Sequence, residues 1–194
     1  MLREEKKARA RAAMADAAAE LFAAHGYDSV AMAQVARAAG VSEQTLYNYF
    51  PTKESLVFDQ ADAFEATMLA TLAARGPDTS VVDAYGRWLQ AFLLGPDARR
   101  AVETPGGMVR QIAVSNTLHR AMLDLAHRVA TVLATRLRAA EGYPPAAATT
   151  LADALIAVFV RTVERLSTAP STRAIPAIRR QAREAVEALR PLLR

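Results

Sequence analysis

The sequence predicts an all-α chain, with a compact N-terminal unit of three helices followed by a larger helical unit. Three observations carry that expectation. Apolar residues recur at three- and four-residue spacing almost throughout. Glycine and proline stand where those runs stop. A length of 194 residues, 52% apolar with mixed charge, is that of a globular chain with one sizeable core or two small ones.

The first helix carries Met14, Ala17, Ala18, Leu21 and Phe22 on one stripe and ends at Gly26. Met32, Val35, Ala36 and Ala39 repeat the spacing on a shorter second helix that stops at Gly40. Ser42 caps a third helix by accepting from the amide of Thr45 or Gln44, and Pro51 ends that helix at Phe50. The tight "AAGV" turn joins the last two in the helix-turn-helix arrangement that lays one helix in the DNA major groove. On the third helix Leu46 and Phe50 face inward with Val41, while Gln44, Tyr47 and Asn48 share the outward face. Glutamine and asparagine pair with adenine, and a phenol bonds a base edge or a phosphate. Tyr49 and Lys53 flank the helix end where phosphates would pass, and Thr52 caps the next helix. Residues 1–56 form this unit and 57–194 the larger one.

In the larger unit, Lys53 to Arg75 reads as one helix, a mechanical link out of the first unit, ending at Gly76–Pro77. Tyr85, Trp88, Leu89, Phe92 and Leu93 stripe the next helix, which stops at Gly95–Pro96, and Pro105–Gly106–Gly107 break the chain again. A long helix carries Leu118, Met122, Leu125, Val129, Leu133 and Leu137 and ends near Gly142, before Pro144–Pro145 open its successor. Two helices, 145–168 and 174–193, finish the chain. The former holds "ALIAVFV", apolar on more than one face, so a second cover is expected from another subunit. The pair is expected to form half of a four-helix homodimer interface using Phe159, Val163, Ile178, Val186 and Leu189.

Composition removes several classes of function. With no cysteine there is no disulfide, thiolate metal site or cysteine nucleophile, and the cytosol is the simple expectation. Asp16 and Glu20 interrupt what would be the apolar stretch of a signal peptide. The longest apolar run, Ala154 to Val160, falls short of the ~20 residues that cross a bilayer, so no membrane partner is expected. The net charge of +4 arises at the C-terminal end, where residues 161–194 carry 8 basic and 3 acidic groups. In the first unit only the arm with Arg3, Lys6, Lys7, Arg9 and Arg11 is distinctly positive. There is no phosphate loop, dinucleotide fingerprint, paired zinc motif or nucleophile elbow, and His119 and His127 stand too far apart on one helix for a metal pair. No enzyme, catalytic residue, metal or cofactor is expected.

Residues 9–56 resemble the DNA-binding domain of the tetracycline-repressor-like (TetR) regulators, through "AAELFAAHGYDSV", "QVARAAGVS" and "TLYNYFPTKESL". The resemblance covers about a quarter of the chain; the remainder is similar to the family only in being helical and of the usual length. It implies base contacts from Glu43, Gln44 and Tyr47 and mainly phosphate contacts from Thr45, Asn48, Tyr49 and Lys53, with Ser42 at the start of the reading helix. It also implies a dimeric, ligand-responsive regulator, most simply a repressor, with double-stranded DNA and a small-molecule effector as partners. Trp88, Phe92, Met108, Gln111, His119 and Met122, on helices expected to surround a cavity, are the ligand candidates. The chain departs from the family pattern at Val30 and Ala31, where a capping threonine or serine is common, and at Ala33, which leaves Gln34 as the nearest polar substitute and Ser29 as an earlier cap. Glu43 suits the positive end of the helix dipole. The rival readings are a helical protein-interaction domain, in which Tyr47→Ala would leave DNA binding untouched, and an activator built on the same module.

Overall fold

The computed structural model describes residues 2–104 and 108–193, with the side chains at positions 2, 108, 141, 192 and 193 outside the described set. The expected break at Pro105–Gly107 and the side chain of Met108 therefore lie outside the described residues. Among those described, eleven α-helices and two short 3-10 turns account for all regular structure.

The first four helices are α1 (Leu2–His25), α2 (Met32–Ala38), α3 (Glu43–Tyr49) and α4 (Lys53–Val57). The basic arm is not a separate tail, because α1 runs helical from Leu2. Met14, Ala18, Phe22, Val35, Leu46 and Phe50 close a shared core beneath them. Thr52 caps α4 by accepting from the Ser55 amide at 3.2 Å.

The long helix expected from Lys53 to Arg75 is two helices, α4 and α5 (Ala61–Ala73). Phe58 leaves the helical path, and the Ala61 amide closes onto the Phe58 carbonyl at 3.0 Å in a tight turn. Asp59 within this bend is held by Arg11 of α1, a long-range tie that anchors the interruption. No glycine or proline marks it.

The remaining helices are α6 (Val81–Leu94), α7 (Pro96–Glu103), α8 (Met108–Val114), α9 (Asn116–Glu141), α10 (Pro145–Thr168) and α11 (Ile175–Glu187). Ser80 caps α6, Pro96 opens α7, and α9 ends at Gly142 with φ of 69°, a conformation that glycine adopts without a Cβ penalty. The final helix is shorter than expected: α11 stops at Ala188 and a 3-10 turn follows, because Pro191 has no N–H to continue the ladder. α10 is the central element, packed against α8, α9 and α11 and touching α6 and α7. By length and composition alone α10 could cross a membrane, contrary to the expectation from its longest uninterrupted apolar run, yet its apolar inner face is buried among these neighbours. The Tyr85 hydroxyl, fully enclosed, donates to the Leu155 carbonyl at 2.7 Å and pins α6 to it.

Candidate nucleic-acid interface

The angle between α2 and α3 is set by backbone. Gly40, with φ of 68°, lets the Val41 amide reach the Ala36 carbonyl (3.0 Å) and the Gly40 amide reach the Arg37 carbonyl (3.2 Å), the paired bonds of a Schellman cap. Ser42 then starts α3, its Oγ accepting from the Thr45 amide at 3.1 Å and sharing a second bond with the Thr45 hydroxyl at 2.8 Å. Leu46 and Phe50 have no exposed surface and anchor the helix from below.

A further brace comes from α1. Arg11 donates to the Tyr49 carbonyl at 2.9 Å and to Asp59, and its guanidinium lies 4.4 Å from the centroid of the Phe50 ring. It joins the end of α3 to the α4–α5 bend. In the sequence Arg11 is one cation of the positive arm; only the fold brings it to partners 38 and 48 residues away.

Above this base the outward face of α3 is open. Glu43, Gln44, Tyr47 and Asn48 are all exposed, Tyr47 with 44% of its surface. Gln44 Nε2 donates to Asn48 Oδ1 at 3.1 Å, leaving the Gln44 carbonyl and the Asn48 amide group for a partner. Glu43 lies in the first turn, where the helix dipole favours it.

The other candidates divide. Gln34 is exposed on α2, but its Oε1 accepts from the Ala31 amide at 2.7 Å and so performs the capping that Ser29 was expected to supply. Val30 is core. Tyr49 is half-buried against the core. Lys53 folds back: its ammonium stands 4.1 Å from the Tyr27 ring centroid, and burial pulls its pKa below the ordinary lysine value, with Asp28 and Glu54 opposing. The Tyr27 hydroxyl donates to Glu54 at 2.8 Å; burial and that carboxylate push the phenol up. Burial also pushes Glu54 up, but hydrogen bonds from its backbone, Tyr27 and Thr52, with the Lys53 charge, outweigh it and leave the carboxyl below its usual value.

In the larger unit the structure redistributes the ligand and interface candidates. Trp88 and Phe92 do come together, but with Phe64 and Phe159 in one aromatic cluster whose ring centroids lie 5.0–6.4 Å apart. Phe159 thus points to the chain's own interior. Val163, Ile178 and Val186 are buried in the same chain, Val186 against Gly86 of α6, so none is available as free interface surface. Leu189 is half-buried and Met122 buried. His119 borders an outer groove between α9 and α10, 4.0 Å from Glu164. Gln111 is buried and bonded to the backbone of Phe22 and Tyr27.

A short capped helix with an open polar face, set by a tight glycine turn on a buried base, defines the class of helix-turn-helix proteins. Residues 15–59 match the family model for bacterial regulatory proteins of the tetR family, so this stretch carries the N-terminal domain that the model describes. It is 30% identical over 143 residues to the HTH-type transcriptional regulator TcmR of Streptomyces glaucescens, an alignment covering 72% of this chain and 58% of that one. The chain thus spans less than two thirds of the length of the curated relatives it matches. Among solved structures, Salmonella enterica GusR shares the fold at a TM-score of 0.58 and 19% identity, over 93% of this chain and 95% of GusR. A transcriptional regulator from Aquifex aeolicus does so at 0.55 and 16%, over 93% and 99%.

Proposed function

We propose that the chain is a cytoplasmic transcriptional repressor that binds a palindromic operator as a homodimer and is released by a small molecule. The observation that carries the DNA-binding part is the exposed quartet Glu43, Gln44, Tyr47 and Asn48 standing on the buried pair Leu46 and Phe50. Amide and phenol groups on a short helix suit base edges in the major groove, and the helical unit from residue 57 serves as effector and dimer module. One seven-residue helix touches few base pairs, and a two-fold partner supplies a second half-site.

For that partner the outer strip of α10 is favoured over the residues now buried inside the chain. Asp153 and Arg161 lie four residues either side of Ala157, all three exposed. Two antiparallel copies crossing at this small residue would set each Asp153 against an Arg161 of the other, a self-complementary pattern suited to two-fold symmetry. Arg161→Asp should then leave monomers in light scattering, and adding Asp153→Arg should restore the dimer. For the effector, the half-buried rings of Phe64, Phe92 and Phe159 around Trp88 favour a flat, apolar molecule.

The test of the DNA-binding reading is capture of genomic fragments by purified protein at low and moderate salt, followed by sequencing. A specific site persists as salt rises, whereas non-specific binding fades steeply. Enrichment of a palindrome, lost with Tyr47→Ala in a folded protein, is the expected result; recovery of salt-labile random DNA alone would defeat the proposal.

A further inference from the structure

α1 and α2 both end at a glycine in the left-handed region, yet their caps close differently. After α2 the Val41 amide donates directly to the Ala36 carbonyl, five residues back, at 3.0 Å. The equivalent groups after α1 are the Tyr27 amide and the Phe22 carbonyl. Here the side chain of Gln111, from α8, stands between them: the Tyr27 amide donates to Oε1 at 3.0 Å, and Nε2 donates to the Phe22 carbonyl at 3.0 Å. Only this orientation of the amide satisfies both partners. Gln111 is 5% exposed, so no water substitutes freely for it. One helical turn further on, Ser115 Oγ donates to Asp28 at 2.9 Å while accepting from the Leu118 amide at the start of α9. The elbow between α8 and α9 is therefore fastened into the corner between α1 and α2, away from the covalent link through α4 and α5.

The chemistry of this joint allows two satisfied states. With Gln111 inserted, α1 has the simpler glycine cap, in which the Gly26 amide bonds the Phe22 carbonyl at 2.9 Å. With Gln111 withdrawn, the Tyr27 amide is free to close on the Phe22 carbonyl as Val41 closes on Ala36. The Tyr27 and Phe22 rings already pack at 5.1 Å, the apolar contact that accompanies the directly closed cap. Withdrawal thus need not leave a buried polar group without a partner, and the joint has an alternative to being broken.

We propose that Gln111 and Ser115 are positioning residues for DNA reading: the bridged cap holds α1–α3 at the operator-reading angle, and displacement of the α8–α9 elbow lets the cap close on itself and the head turn. This rests on the DNA-binding reading above, and it gives the larger unit a second route to the head besides the α4–α5 bend.

The chain has no cysteine, so Arg37→Cys on α2 and Arg128→Cys on α9, both exposed, accept one pair of spin labels. Labelled protein diluted with unlabelled protein should give one narrow distance. Gln111→Met and, independently, Asp28→Ala should shift or broaden it while the thermal midpoint moves by no more than about 4 °C. On the operator recovered by wild-type protein, both variants should lose about 10-fold or more in affinity. Their salt dependence should stay that of the wild type, because the phosphate contacts are unchanged. Unchanged distances in both variants would overturn the proposal whatever the DNA result, as would changed distances with full operator affinity. Failure of the wild type itself to select DNA would defeat the DNA-binding reading and this role with it, and is read from a separate arm.

Discussion

α3 and α10 hold their places by opposite means. α3 has seven residues, and its position rests on attachments made elsewhere: Ser42 at its start, Arg11 at its end and the wedge of Leu46 and Phe50 below. α10 has 24 residues and is held by packing along its length, with Leu151, Leu155, Ile156, Val163 and Leu166 all buried. Its buried polar groups are satisfied locally, as where Thr162 donates to the Val158 carbonyl one turn back at 2.7 Å. A short helix that must leave one face bare cannot stabilise itself by burial on all sides, and it depends on a few long-range contacts. A long central helix spreads the same task over many residues.

Substitutions separate the two regimes. Phe50→Ala removes a fully buried ring from beneath α3 and should cost about 3–5 kcal/mol in denaturant unfolding, with loss of DNA binding. A cost below about 1 kcal/mol would mean that the head does not depend on that wedge. Arg11→Ala removes the side-chain donor to the Tyr49 carbonyl and the cation beside Asp59, which keeps only its bond from Gln60, and should cost about 1–3 kcal/mol, with faster amide exchange in α3 than in α10. Lysine at the same position should rescue only part of this, having no planar fork to reach both groups. The smallest effect belongs to α10: Thr162→Val should change stability by no more than about 1 kcal/mol, since its one partner lies in its own helix. A cost equal to that of Arg11→Ala would erase the contrast.

Local chemistry was legible in the sequence. The Ser42 and Thr52 caps, the stops at Gly26, Gly40 and Gly142, the opening of α10 at Pro145 and the division of α3 into inner and outer residues all depend on neighbours within a few positions. What stayed hidden depends on partners far along the chain. Nothing in "VFDQAD" announces the α4–α5 bend, because its clamp is Arg11. Gln111 looked like a polar group on a cavity wall, and its partners lie 84 and 89 residues away. Periodicity likewise gave α10 and α11 their apolar faces without saying which neighbour would cover them. Hence Val163, Ile178 and Val186 belong to the chain's interior and not to its surface.

The bare face of α3 has a consequence for how such a protein diversifies. Gln44, Tyr47 and Asn48 are exposed while Leu46 and Phe50 are fully buried, and the turn at Gly40 that aims the helix is built from backbone atoms. On the DNA-binding reading proposed above, vocabulary and grammar are separable: the three outward side chains would form an exchangeable cassette, and a retargeted reader could be selected from randomised residues at these positions without rebuilding the scaffold that carries them.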